Sequence, residues 1–95
     1  MDIKYIICPE HIADKLASKH NVTEREARQL LLNNPRIRFG EKGYQPGDDV
    51  YAAFGQTYGG RYLAIFFIYK RKTATAIIIS GRDMNHKERK RYGRK

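Results

Sequence analysis

The hydrophobic period of this 95-residue chain changes from helical to two at Asn33-Asn34-Pro35. Over the residues leading up to that point apolar side chains recur at helical spacing, and from Arg36 they begin to alternate. Pro35 cannot continue a helix and pushes its predecessor toward extended backbone. A chain that switches in this way buries its helices against a sheet, which is an α+β arrangement.

The first half opens with a strand-like run, Ile3 to Ile7. Pro9 suits the first turn of a helix. Ile12, Ala13, Leu16 and Ala17 then predict an amphipathic helix over residues 9–19, stopped at His20-Asn21. Thr23 and Glu26 form a capping box for a second helix with Ala27, Leu30 and Leu31 on its apolar face. The second half predicts a strand from Arg36 through Phe39 and a loop over 40–49. A strand from Val50 to Tyr58, a two-residue turn at Gly59-Gly60 and a return strand from Arg61 to Lys70 follow. Arg71-Lys72 gives a tight connection to a strand from Thr73 to Ser80. Short connections make this an antiparallel β-meander, of about four to five strands with the N-terminal one, packed against the two helices. Residues 62–69 and 76–79 are apolar on both faces, so cover is expected on both sides. Asn85 and Glu88 repeat the capping signature and predict a short basic helix over 86–92. The length fits one domain, residues 1–95.

The net charge is +9, and its placement is uneven. Acidic and basic residues balance over 1–50, while residues 51–95 set eleven basic side chains against Asp83 and Glu88 alone. A one-sided basic field favours a polyanion: nucleic acid, an acidic protein or an anionic membrane. The plain alternative is a basic solvated surface. A single cysteine, Cys8, forbids an internal disulfide and points to a reducing, cytoplasmic setting. The longest apolar run, Leu63 to Ile68, is far short of a membrane span, and Met1-Asp2-Ile3-Lys4 lacks the order of a signal peptide. No membrane partner is expected. His11, His20, His86 and Cys8 show no metal-ligand spacing, and no phosphate-loop motif occurs, so neither metal nor cofactor is expected.

Three stretches carry a family resemblance. Lys19-His20-Asn21-Val22-Thr23 with Glu26-Ala27 is similar to a K-H-G-V-S segment followed by E-A. Asp49 to Thr57 with Gly60-Arg61-Tyr62-Leu63 is similar to a strand, turn and G-R-x-L return strand. Ile79-Ser80-Gly81-Arg82-Asp83-Met84, continued by Lys87 to Tyr92, is similar to I-S-A-R-x-x followed by x-x-E-R-x-x-Y. In this order they resemble the BrnT family of bacterial toxins, a branch of the RelE/ParE-like ribonucleases. Ile7 to His11 departs from the W-D-x-x-K opening of that family, and Asn21 stands where Gly is common. The resemblance implies a single RelE-like toxin domain that cleaves RNA and arrests growth. It also implies a cognate ribbon-helix-helix antitoxin of the BrnA type. That partner would neutralise the toxin in a hetero-oligomer and make the only link to operator DNA.

Metal-independent RNA cleavage uses the 2′-hydroxyl as nucleophile. It needs a proton acceptor, fixed cations for the charge growing on phosphorus, and a donor for the leaving oxygen. Arg suits the cationic role through its bidentate fork. Arg61 and Arg82 are the candidates, because a meander makes the start of one strand and the end of the next neighbours. Glu88 and Tyr92 share a helix face. Glu88 is a candidate general base or simply a capping residue, and Tyr92 is a proton donor, a stacking platform or a packing ring. Arg91 completes the candidate catalytic set. Lys87, Arg89, Lys90, Arg94 and Lys95 form the candidate RNA-binding surface. His11 and His20 read as surface or capping residues, and Tyr51, Tyr58, Tyr62 and Tyr69 as sheet packing. The alternative function is a non-catalytic, basic RNA-binding or interaction module.

Overall fold

The computed structural model describes residues 1–93. Its elements are β1 (Tyr5–Ile7), α1 (Glu10–His20), α2 (Glu24–Leu32), β2 (Arg36–Glu41), β3 (Val50–Gln56), β4 (Tyr62–Lys70), β5 (Thr75–Asp83) and α3 (His86–Gly93). Asn21 turns the chain between α1 and α2 in the left-handed region, at φ 52°, and its N–H bonds back to the Leu16 carbonyl. Thr23 and Glu26 form the expected capping box at the start of α2.

The five strands lie in the order β1-β5-β4-β3-β2. β2 through β5 form the antiparallel meander. The wholly antiparallel sheet expected from the sequence is corrected at one edge: β1 runs parallel to β5. Both helices and three strands separate β1 from β5 in the chain, so the hairpin logic that governs the meander does not apply there. Ala74 accepts the N–H groups of Lys4 and Tyr5 and starts this parallel pairing.

Other boundaries moved for local reasons. The connection between β3 and β4 is longer than two residues, running from Thr57 to Arg61, with Gly60 at φ 92°. Residues 71–73 form one 3₁₀ turn closed by Ala74 in the left-handed region, so β5 begins at Thr75. β2 reaches Glu41 through a bulge at Gly40, where a Cβ would meet the Val50 carbonyl oxygen at 2.8 Å.

The core lies between the helices and one sheet face. Leu16, Val22, Ala27, Leu30 and Leu31 pack against Ala53, Leu63, Ile65, Phe67, Ala76 and Ile78. Each large apolar side chain buried here contributes roughly 1.5–3 kcal/mol. The second face is covered at one end only, by α3. Ala52 and Ala64 are buried there, while Phe54, Tyr62 and Phe66 remain half-buried. Among the described residues, no helix is long and apolar enough to cross a membrane.

One irregularity in β5 sets the direction of every residue after it. Phe67 pairs with Ile78, but Phe66 pairs with Ser80, so Ile79 is an extra residue in a bulge. Without it, alternation would put Ile78, Ser80 and Arg82 on the helix face. With it, Gly81 takes that face, where a Cβ would lie 2.7 Å from Ile65 Cδ1 and 3.0 Å from Leu16 Cδ2. Arg82 then points to the opposite face.

Candidate functional site

The face opposite α1 and α2 carries a row across four strands. Arg36 pairs with Phe54, Phe54 with Ala64, and Ala64 with Arg82. Ala64 is the small residue in the row and leaves its centre low. α3 stands over this floor. A groove of about 310 Å³ runs between them, lined by Arg36, Arg38 and Phe54 from the sheet and by Asn85, Lys87, Glu88, Arg91 and Tyr92 from the helix end.

The helix is placed by two linked devices. Asn85 Oδ1 accepts the Glu88 N–H at 2.8 Å, and Glu88 Oε1 accepts the Asn85 N–H at 2.9 Å. The same carboxylate takes both arms of Arg82, Nη1 to Oε1 at 2.6 Å and Nη2 to Oε2 at 3.0 Å. A bidentate pair of this kind fixes direction as well as distance. Arg82 also lies over the Phe66 ring, 5.2 Å from its centroid. The paired Arg82 guanidinium holds the Glu88 carboxyl below the ordinary carboxylate range; burial opposes this and the Asn85 N–H adds to it. Glu88 is therefore a carboxylate of low basicity, occupied as a cap and as a latch.

Further along α3, aromatic and cationic side chains interleave. Arg89 lies 4.3 Å from the Tyr62 ring centroid, Tyr62 meets Tyr92 edge-on at 6.0 Å, and Arg36 stands 5.6 Å from the Tyr92 centroid. Lys87, Arg38 and Arg91 are exposed, and no carboxylate among the described residues lies within ion-pair distance of them. Cations without carboxylate partners beside aromatic faces suit a phosphate and a stacked base.

Arg61 is elsewhere. Its Nη1 donates to the Asn21 carbonyl at 2.6 Å and to Glu26 at 3.0 Å, and its Nη2 donates to Asp83 at 3.1 Å. It lies on the helix face, where it ties the start of β4 to the start of α2 and the end of β5. The expected meeting of Arg61 and Arg82 on one phosphate does not occur. They are neighbours along the strand ends, but the Ile79 bulge sends them to opposite faces.

Of the sequence candidates, Lys87, Glu88, Arg91 and Tyr92 line the groove, and Arg82 is joined to them through Glu88 without lining it. Arg89 sits on its flank against Tyr62, and Lys90 is exposed outside the lining. Arg94 and Lys95 lie outside the described residues. His11 and His20 belong to α1, across the sheet from the groove, and His86 opens α3 without lining it.

Three contributors were missed: Arg36, Arg38 and Phe54. The alternation around Ile37 already put both arginines on one face, but only the sheet order shows that this face meets α3. The uneven charge also pointed away from them, since both lie in the neutral half. No family model matches this chain, and no curated protein matches it.

Proposed function

We propose that the chain is an RNA-cleaving toxin of the BrnT-like, RelE-related kind, a metal-independent endoribonuclease neutralised by a cognate antitoxin. The observation that carries this reading is the groove between α3 and the sheet, where Arg36, Arg38, Lys87 and Arg91 converge beside Tyr92 and Phe54. In this reading Arg38 and Arg91 grip the phosphodiester and stabilise the charge that grows on its oxygens as the 2′-hydroxyl gives its proton to solvent water, bonds to phosphorus and displaces the 5′-oxygen. Tyr92 donates toward the leaving oxygen or stacks on the neighbouring base. Arg82 and Glu88 act through position, by holding α3 over the floor. Arg61 has no direct role in this scheme.

A second reading has one observation in its favour. Among the described residues, Glu88 is the sole carboxylate lining the groove and no histidine lines it, and the Glu88 carboxyl is held in the less basic direction. General-base catalysis works best with a group poised near the working pH. A non-catalytic RNA-binding module needs the same cations and aromatics and no base.

Incubation of the purified chain with single-stranded RNA in the presence of a chelator separates the two. A toxin of the proposed kind yields discrete fragments, and its expression alone arrests bacterial growth. Retarded but intact RNA, with no arrest, selects the binding module.

A further inference from the structure

We infer that the exposed edge of β2 accepts an added strand from a partner protein whose extended segment alternates carboxylate and apolar side chains. The sheet has two edges, β1 and β2. The β1 edge is short, and Arg28 Nη1 closes it by donating to the Ile6 carbonyl at 3.0 Å. The β2 edge is twice as long, and no described strand lies outside it. Unpaired edge backbone is a template for a further strand.

The two faces of that edge say what the strand must carry. On the helix face an aromatic row crosses three strands: Phe67 stacks with Tyr51 at 6.0 Å, and Tyr51 meets Phe39 edge-on at 5.9 Å. These are cross-strand partners in register. The row ends abruptly, with Phe39 59% exposed. An apolar side chain directly opposite Phe39 would continue the row and cover it. On the other face, Arg36 and Arg38 flank the position, with Lys87 and Arg91 beyond them across the groove. Side chains of an added strand on this face lie among cations, so carboxylates fit there. The bulge at Gly40 ends the regular stretch, which confines pairing to residues 36–39.

A second copy of this chain is the wrong occupant. Joining two β2 edges in one continuous antiparallel sheet sets arginines 36 and 38 against those of the other copy, and like charges directly opposite are destabilising. A partner of opposite charge answers both faces. The inference is independent of RNA cleavage, although a strand paired with Arg38 would also occlude one wall of the groove.

The test titrates the full chain with a blocked octapeptide alternating Glu and Val, followed by amide hydrogen exchange at each residue. Comparison peptides have the same composition with Glu and Val segregated, or alternate Lys and Val. The alternating acidic peptide is expected to bind and to slow exchange at residues 36–39, with the segregated peptide about tenfold weaker or worse. Arg38→Glu should weaken the acidic peptide about tenfold or more. Phe39→Ser, a change at an already exposed side chain, should weaken it too. Core amide protection in each variant verifies folding. Equal binding of the segregated peptide, protection away from β2, absence of binding, or self-association of the chain through β2 would each overturn the inference.

Discussion

Arg36 and Arg82 stand at the two ends of one cross-strand row, with Phe54 and Ala64 between them. They come from opposite sides of the β2–β3–β4–β5 meander and share a face only because Ile79 is an extra residue in β5. That single insertion turns Arg82 away from the core and toward α3. The Glu88 latch that orients the helix follows from it.

Gly81 is the counterpart of that insertion on the core side. A Cβ there meets Ile65 and Leu16, the latter from the helix packed on this face. Gly81→Ala should destabilise the fold by roughly 1–3 kcal/mol through overpacking. A lower urea midpoint with an unchanged slope would agree with this.

Glu88 does two jobs that different substitutions separate. Glu88→Gln keeps a capping side chain and loses the ion pair, at a cost of about 0.5–1 kcal/mol for a pair this exposed. Glu88→Ala loses the cap as well and should cost about 1 kcal/mol more. Thermal unfolding of the two variants beside the parent chain measures the difference.

The pH dependence of α3 has a definite sign. The Glu88 carboxyl is lowered in the folded state, chiefly by Arg82. Its contribution is complete above the ordinary carboxylate value of about 4.3 and is lost as pH falls through the lowered folded value. Ring resonances of Tyr62 and Tyr92, which touch across the α3 contact, should shift in that acidic window. The shift should be absent in Glu88→Gln.

Arg38 and Arg91 should set the salt dependence of RNA binding. Each is an exposed cation lining the groove, and replacing either by Ala should lower the slope of log affinity against log salt by about 1. A filter-binding series at several salt concentrations reads this directly.

Local chemistry was legible in the sequence, and long-range direction was not. The Thr23–Glu26 and Asn85–Glu88 boxes were readable because a cap involves residues three apart. The period change at Pro35 was readable for a similar reason. The parallel docking of β1 on β5 depends on chain segments about seventy residues apart, which no local pattern encodes. The Ile79 bulge was hidden because Ile77-Ile78-Ile79 is apolar throughout, so alternation leaves no mark of the extra residue. The bulge also separates Arg61 from Arg82: they stand at neighbouring strand ends, as the meander implies, but on opposite faces of the sheet. The role of Arg36 and Arg38 was hidden in a charge-balanced half, of whose cations only these two line the groove.

The most direct test of the groove is chelator-resistant cleavage of single-stranded RNA by three forms of the chain: the parent, Arg61→Ala, and the double variant Arg38→Ala/Arg91→Ala. Circular dichroism confirms that each is folded at the assay temperature. The account predicts that the parent and Arg61→Ala cut alike, while the double variant is folded and inert. Parent-like cleavage by the double variant, or loss of cleavage in a folded Arg61→Ala chain, would contradict it.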